Sequence, residues 1–290
     1  METVLNELSL PGLADTKTEA RDRMKELILF LKTLNEINFT KLRLLGSNFF
    51  EEELASGYTF NDWIRDNEVH KLYRTLFLGL YAYPFFKELD EKAEDNYILS
   101  QFTLNENAHP KNNEKIYGLA DAYLRNTLAV SFPTHELWSK CKISIAIKRQ
   151  TVEGEMILSK EQVIHASNNR CIESDDFKNW YKKRNRPPLT NRADVDIWFP
   201  EDQDYKISNE AKDDLIYWYQ QNHKDKLKKI EDFFDEIKVN PFSGSGQVEP
   251  LKGNLSGWWS RRISHADRLV YKFEATEIIV RQCRGHYDDR

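Results

Sequence analysis

The chain has few cysteines and no long hydrophobic run. Only three of its 290 residues are cysteine, at Cys141, Cys171 and Cys283, and no two of them form a CxxC pair. We therefore expect neither a disulfide framework nor a cysteine-based zinc site, and the pattern fits a reduced, cytoplasmic protein. The most apolar stretch, 76–86, is interrupted by Pro84 and is far shorter than the roughly 20 residues that a membrane helix needs. We therefore expect no association with a membrane.

Signals for export, metal binding and repetition are also missing. The first ten residues, METVLNELSL, include acidic residues but no basic leader, so we expect no signal peptide. The seven histidines show no ligand-like spacing with one another or with cysteine, so we expect no metal and no cofactor. There is no internal repeat and no low-complexity linker. A length of 290 residues then suggests about two domains.

Charge is distributed unevenly about a domain boundary that we predict at 203/204. Residues 205–290 contain 15 Lys+Arg against 14 Asp+Glu, a net charge of +1, whereas residues 1–204 contain 27 against 33, a net charge of −6. Within 238–287 the basic residues outnumber the acidic ones by 8 to 4. This distribution is expected if nucleic acid meets only one surface of the molecule.

The N-terminal region is predicted to be mostly helical. Apolar side chains recur at helical spacing after a capping-box pattern at Thr16 and Glu19, again between 59 and 84, and again over 113–129. Over 143–159 the period changes to two, which predicts a β-hairpin or small sheet. We therefore predict a mostly helical domain over 1–203 with a small sheet, and it matches no family known to us.

The C-terminal region, 204–290, predicts a mixed domain, so the whole chain is classed as α+β. A short strand near 205–208 precedes two amphipathic helices, and a glycine-rich turn then leads into three strands. We predict those strands around 258–263, 268–273 and 278–284.

The segment 241–287 gathers the groups that cutting RNA without a metal requires. Such cleavage needs a base for the 2′-hydroxyl, an acid for the departing 5′-oxygen, and cations around the phosphorane between them. The segment supplies a carboxylate, an ammonium, three guanidinium groups and a terminal histidine–tyrosine pair. These groups belong to Glu249, Lys252, Arg261, Arg262, Arg268, His286 and Tyr287.

The same residues carry a family resemblance. The strings VEPLKGNLSGWWSRRI, DRLVY and CRGHY resemble the YoeB/Txe toxins of the RelE superfamily, nucleases that cleave mRNA on the ribosome. The resemblance covers 205–287 and implies a βααβββ fold with helices on a mostly antiparallel sheet. It also implies that Glu249 is the general base, that Lys252, Arg262 and Arg268 contact phosphate, and that His286 and Tyr287 form the catalytic C-terminal pair.

Two further residues are candidate RNA contacts. Arg261 and Arg262 are adjacent, so in a strand they point to opposite faces and only one of them can face the active site. The resemblance selects Arg262, but Arg261 is retained as a phosphate-binding candidate. Trp258 and Trp259 could stack on bases, although one of them is expected in the core. We retain Trp259 as the RNA-binding candidate.

The resemblance implies a metal-free endoribonuclease that cuts mRNA in the ribosomal A site and first yields a 2′,3′-cyclic phosphate. It also implies mRNA and the ribosome as partners, and a homodimer is a further expectation. A toxin joined to another domain suggests control in cis, either by a built-in antitoxin or by a sensor that responds to a trigger such as phage infection. The alternative is an inactive ribosome- or RNA-binding regulatory protein on a toxin fold.

Overall fold

A computed structural model describes residues 1–10, 13–44, 47–151, 154–200, 205–274 and 277–286. The chain divides into two compact units, Met1–Arg184 and Asn185–Arg290. Helices and strands both contribute substantially, as expected for the α+β class. No helix of the described residues is long and apolar enough to cross a bilayer.

The boundary between the units lies 19 residues before the expected one at 203/204. Leu189, Val195 and Phe199 are buried in the hydrophobic core of the second unit. Arg186 also forms an ion pair with Glu231 of that unit. Residues 185–200, which the expected boundary assigned to the N-terminal domain, are therefore part of the second unit.

The first unit is built on a larger sheet than the small one expected. Its nine strands among the described residues are β1 Glu2–Leu5, β2 Lys41–Leu44, β3 Glu53–Ala55, β4 Tyr58–Thr59, β5 Tyr81–Pro84, β6 Ser100–Leu104, β7 Leu128–Val130, β8 Lys142–Gln150 and β9 Met156–Ala166. Seven of them form one sheet in the order β5-β2-β1-β7-β9-β8-β6, while β3 and β4 pair separately. From β5 through β2, β1 and β7 to β9, each strand pairs in parallel with its neighbour. Strand β8 is antiparallel to β9, and β6 is antiparallel to β8.

Helices cover this sheet. Those among the described residues are α1 Lys17–Glu36, α2 Phe60–Arg65, α3 Lys71–Leu80, α4 Glu91–Ile98, α5 Gly118–Leu124, α6 Asn169–Glu173 and α7 Asp175–Arg184. Adjacent strand residues enter different hydrophobic clusters. Leu5 and Val130 belong to the cluster that contains α1, whereas Val4 and Ala129 belong to the one that contains α5. The central strands are thus buried on both faces, as is usual in parallel sheets.

The second unit confirms the expected βααβββ order. Its elements among the described residues are α8 Arg192–Trp198, β10 Tyr205–Ile207, α9 Asn209–Gln220, α10 Lys224–Val239, β11 Glu249–Pro250, β12 Trp259–Arg262, β13 Arg268–Glu274 and β14 Glu277–Gln282. The strand order is β10-β14-β13-β12-β11. Only the β10 and β14 pair is parallel within this described sheet.

The two long helices of this unit share one core with the sheet. Their apolar faces include Leu215 and Trp218 of α9 and Ile230 and Phe233 of α10, and they pack with strand residues such as Leu269. The opposite face of the sheet therefore remains for the residues expected to act on RNA.

Candidate active site

Strand register places three of the expected site residues on one face of the sheet. Glu249 pairs with Ser260, and Arg262 pairs with Arg268. Paired residues share a face, and so do residues two apart in one strand. Glu249, Ser260, Arg262 and Arg268 therefore lie on the same face. The neighbouring pair of Arg261 and Leu269 lies on the opposite face, toward the helices.

Glu249 is an exposed carboxylate at the start of a two-residue strand. Its only hydrogen bond among the described residues comes from the Ser260 hydroxyl, whose Oγ lies 3.3 Å from Glu249 Oε1. The second carboxylate oxygen is thus available to accept a proton from a substrate hydroxyl. An exposed carboxylate with one unoccupied oxygen is a group that can act as a general base.

The side chain of Arg268 is mostly buried and donates to backbone carbonyl oxygens. It is 6% exposed, and its Nη1 donates to the carbonyl oxygens of Ser264, His265 and Asp267 at 3.0, 3.3 and 3.1 Å. Its Nε is buried and has no hydrogen-bond partner among the described residues. The carbonyl oxygens of Ser264, His265 and Asp267 therefore fix the position of the Arg268 side chain on this face of the sheet.

Two further cations flank these residues. Arg262 is exposed, and its backbone N–H donates to the carbonyl of Gly246 at 2.5 Å. Lys252 is also exposed and precedes the 3₁₀ turn Gly253–Leu255. Both side chains are therefore accessible to a phosphate from solvent.

Arg261 is not available for phosphate binding, in contrast to the role expected of it. Its side chain is completely buried. The guanidinium pairs with Glu236 and donates to the carbonyls of Ser243 and Asn240 at 2.7 and 3.3 Å. It also bonds the Tyr271 hydroxyl at 3.3 Å. Arg261 thus holds the chain between α10 and Glu249.

Trp259 also differs from its expected role. It pairs with Tyr271 on the helix-facing side of the sheet and packs against the core. Its ring lies 4.9 Å from that of Phe242. Because this side is opposite to Glu249, Trp259 is placed as a packing residue and not as a stacking platform for bases at that site.

The loop before Glu249 depends on close backbone approach. Gly246 has φ +84°, and a Cβ at this position would lie 2.5 Å from Cζ of Phe233. At Gly244, with φ +128°, a Cβ would lie 2.8 Å from Nη1 of Arg261. Only glycine fits such positions without displacing neighbours. The sequence signal for this loop was its glycine content, but the contact with Arg261 could not be read from it.

Only one residue of the C-terminal pair expected to be catalytic is described. His286 is half-buried and follows Gly285, while Tyr287 lies outside the described residues. The N–H of Gly285 donates to Asp267 at 3.0 Å, and its carbonyl accepts from the N–H of Arg268 at 3.1 Å. The chain before His286 is therefore fixed to the strand that carries Arg268.

Asp267 was not singled out by the sequence, and its environment is polar. Burial by itself raises the pKa of this carboxyl, but hydrogen bonds from Lys226, Ser264 and the Gly285 amide together lower that pKa below its usual value. The group is thus a carboxylate at neutral pH.

Among the described residues, no cluster of three or more His, Cys, Asp or Glu has the arrangement of a metal site.

The family of the C-terminal segment follows from comparison with known proteins. Residues 207–287 match the family of YoeB-like toxins of bacterial type II toxin–antitoxin systems. The chain is 45% identical to toxin YoeB of Escherichia coli (strain K12) over 80 residues, which are 28% of this chain and 94% of that protein. It is 49% identical to toxin YoeB of Synechocystis over 70 residues, 24% of this chain and 81% of that protein.

Solved structures match the same segment. The YoeB/ParE toxin from Agrobacterium tumefaciens is 37% identical and has a TM-score of 0.28, with 29% of this chain and all of that one covered. A YoeB dimer from Staphylococcus aureus is 40% identical with a TM-score of 0.27, and 29% of this chain and 97% of that one are covered. Since most of the length of close relatives is contained in 207–287, the chain belongs, through this segment, to the YoeB-like toxin family.

Proposed function

We propose that the protein cuts mRNA in the A site of the ribosome, without a metal, and that its N-terminal unit controls this activity. The C-terminal domain is an RNase toxin of the RelE superfamily, an endoribonuclease that acts on mRNA. The observation that carries the proposed cleavage mechanism is the common sheet face of Glu249, Arg262 and Arg268.

The proposed reaction is an internal transfer at phosphorus. Glu249 removes the proton of the 2′-hydroxyl, and the 2′-oxygen attacks the adjacent phosphorus. Arg262 and Arg268, with Lys252, stabilise the negative charge of the phosphorane. His286, acting with Tyr287, donates a proton to the 5′-oxygen as its bond to phosphorus breaks. The products are a 2′,3′-cyclic phosphate and a free 5′-hydroxyl.

The site is open, which supports a role for the ribosome in substrate binding. Glu249, Lys252 and Arg262 are all exposed, so the described residues form a charged face and not a closed pocket for a nucleotide. We propose that the ribosome supplies most of the affinity and holds the message in the splayed geometry that in-line attack requires. Cleavage then takes place in the cytoplasm.

We further propose that residues 1–184 restrain the nuclease in cis, either as a built-in antitoxin or as a sensor. A trigger such as a phage component that binds the unrestrained form would shift the equilibrium by its differential affinity. One similar solved structure is a YoeB–YefM toxin–antitoxin complex from Staphylococcus aureus. A separate antitoxin and a homodimer remain proposals for this chain.

The test is cleavage of a defined mRNA in a purified translation reaction. Glu249→Gln, Arg268→Ala and His286→Ala should each slow cleavage by about 10²-fold or more, since each group supplies base, charge or acid catalysis. Asp213→Asn is the matched control, because this surface carboxylate pairs with Arg192 away from the site. Circular dichroism melts verify folding. Unchanged cleavage by the three folded site variants would show that these residues do not catalyse it, whereas no cleavage by the wild type would favour the inactive RNA-binding alternative.

A further inference from the structure

Three side chains hold the short segment that leads into His286. Asp214 of α9 accepts from the N–H of Cys283 at 2.9 Å, and Trp218 Nε1 donates to the Cys283 carbonyl at 2.9 Å. Asp267 accepts from the N–H of Gly285 at 3.0 Å. Both carboxylates are nearly inaccessible, with exposures of 2% for Asp214 and 6% for Asp267. Buried carboxylates that accept backbone N–H bonds define a backbone path closely.

Lys226 of α10 connects two of these anchors. Its Nζ lies 2.7 Å from Asp267 Oδ2 and 3.7 Å from the centre of the Trp218 ring. The Ser264 hydroxyl donates to the same Oδ2 of Asp267 at 2.6 Å. One oxygen of Asp267 is therefore used to orient the carboxylate, and the other is left to bind Gly285.

Both peptide groups of Gly285 are used. Its N–H donates to the side chain of Asp267. Its carbonyl accepts from the N–H of Arg268, the residue that follows Asp267 and begins β13. Gly285 also has φ +74°, a conformation that other residues adopt at a cost. The backbone is thus fixed immediately before His286. Only a few rotatable bonds separate Gly285 from the imidazole.

We infer that Asp267, oriented by Lys226, is a positioning residue that aims His286 at the leaving 5′-oxygen. This inference rests on the proposed function, in which His286 is the acid. A displacement of about 1 Å at a reacting group can reduce a rate about 10²-fold, so loss of this anchor should be visible in the chemical step. Asp267 does not itself touch RNA in this account.

The experiment compares two substrates under single-turnover conditions. Ribosomes are programmed with a short synthetic mRNA that has either an ordinary phosphodiester or a 5′-bridging phosphorothiolate at the cleavage position. A thiolate leaves without being protonated, so a defect that arises at the acid disappears on the sulfur substrate. A defect at the base or at the phosphate persists.

Asp267→Ala should cleave the ordinary RNA about 10- to 100-fold more slowly than the wild type and should regain a rate within about 3-fold of it on the sulfur substrate. His286→Ala should behave in the same way. Glu249→Gln should stay slow on both substrates. Asp267→Asn retains a carbonyl oxygen for the Gly285 N–H. Its cleavage rate on ordinary RNA should therefore fall less than that of Asp267→Ala. The double variant of Asp267→Ala and His286→Ala should be no slower than His286→Ala alone.

Two results would overturn the inference. Equal slowing of Asp267→Ala on both substrates would show that it acts through Arg268 or through the fold, and wild-type rates on both would show no role. Failure of the proposed function is distinguishable, because Glu249→Gln and His286→Ala would then cleave ordinary RNA at the wild-type rate. Asp213→Asn should match the wild type on both substrates, and melting curves report the stability of each variant.

Discussion

Two adjacent arginines of one strand have different roles. Arg261 is buried with Glu236 and four backbone or hydroxyl oxygens, whereas Arg262 is exposed on the face that carries Glu249. Strand alternation predicts that they face opposite ways, and the family resemblance selects Arg262. The sequence could not show that Arg261 has an internal acid partner, because Glu236 lies 25 residues away in α10.

The first prediction separates these two roles. Arg262→Ala should slow cleavage about 10- to 100-fold with little change in melting temperature, because it removes a cation near the phosphorane. Arg261→Met should instead destabilise the domain by about 3 kcal/mol, since it breaks a buried ion pair. Breaking a buried ion pair typically costs about 3–5 kcal/mol. The low end of that range is expected here because Glu236 is 36% exposed. Urea unfolding and cleavage rates measure the two effects. The reverse pattern would contradict the assignment.

A buried histidine in the first unit predicts a pH-dependent stability. His165 Nδ1 lies 2.7 Å from the Lys140 carbonyl and therefore donates to it, and Nε2 lies 2.7 Å from the Ser131 hydroxyl. The Ser131 oxygen in turn accepts from Asn6 at 3.0 Å, so its proton is free to bond Nε2. This network fits a neutral imidazole. Burial lowers the pKa of His165 to about 4.

The sign of the effect follows from proton binding. The unfolded chain protonates this histidine near pH 6.5 and the folded chain only near pH 4. Stability from the neutral ring is complete above pH 6.5 and falls as pH decreases toward 4, by up to about 1.4 kcal/mol per pH unit. The difference in unfolding free energy between wild type and His165→Gln, measured from pH 7.5 to 4.5, should show this slope. A constant difference would exclude a buried neutral histidine.

At the scale of elements, local patterns predicted the amphipathic helices and the antiparallel strands. The helix after Thr16 is α1, and the strands expected around 258–263 and 268–273 are β12 and β13. Helix α1 begins at a capping side chain, since Thr16 accepts from the N–H of Glu19 at 3.2 Å. Alternation is strong where one face of an element is buried and the other is solvated.

The parallel part of the first unit could not be predicted in this way. Strands β1, β2 and β7 have only three or four residues each. They are buried on both faces, so they lack alternation, and each pairs with a strand distant in sequence. The helix expected over 113–129 is shorter, at Gly118–Leu124, because residues 128–130 enter the sheet. Such pairings are decided by tertiary packing.

The site was predictable only in part. Glu249 lies in a two-residue strand and is an ordinary exposed carboxylate by every local measure, so only the family resemblance identified it. The face that it shares with Arg262 and Arg268 requires the strand register. The sequence does not indicate that Lys226 binds Asp267, because the two residues are 41 positions apart.

The loop before Glu249 provides an element-scale prediction with a matched control. Gly246 and Gly257 both have positive φ, at +84° and +88°, but only a Cβ at Gly246 would meet another residue. Alanine at either position destabilises the fold, because a residue with a Cβ rarely adopts a positive φ. Gly246→Ala should cost a further 1–3 kcal/mol or so from the clash with Phe233. It should also slow cleavage, because the displaced loop carries Glu249. Equal melting temperatures and rates for the two variants would contradict this.

At the scale of the whole molecule, the observed boundary changes the charge argument. Residues 185–290 contain 17 Lys+Arg against 19 Asp+Glu, a net charge of −2, and residues 1–184 contain 25 against 28, a net charge of −3. The contrast of −6 and +1 therefore depended on a boundary inside the second unit. Net charge no longer favours electrostatic restraint of the nuclease by the first unit.

The last prediction tests control in cis without relying on charge. A fragment of 185–290 should arrest growth more strongly than the intact chain at equal protein levels, because the tethered first unit would act on the nuclease at high effective concentration. The fragment must begin at 185, since one starting at 204 lacks Leu189, Val195 and Phe199 and would expose the core against which they pack. His286→Ala in each form controls for toxicity unrelated to cleavage, and mRNA cleavage mapped at nucleotide resolution identifies the cause of arrest. Equal toxicity of the two active forms would mean that residues 1–184 serve targeting or assembly and do not inhibit.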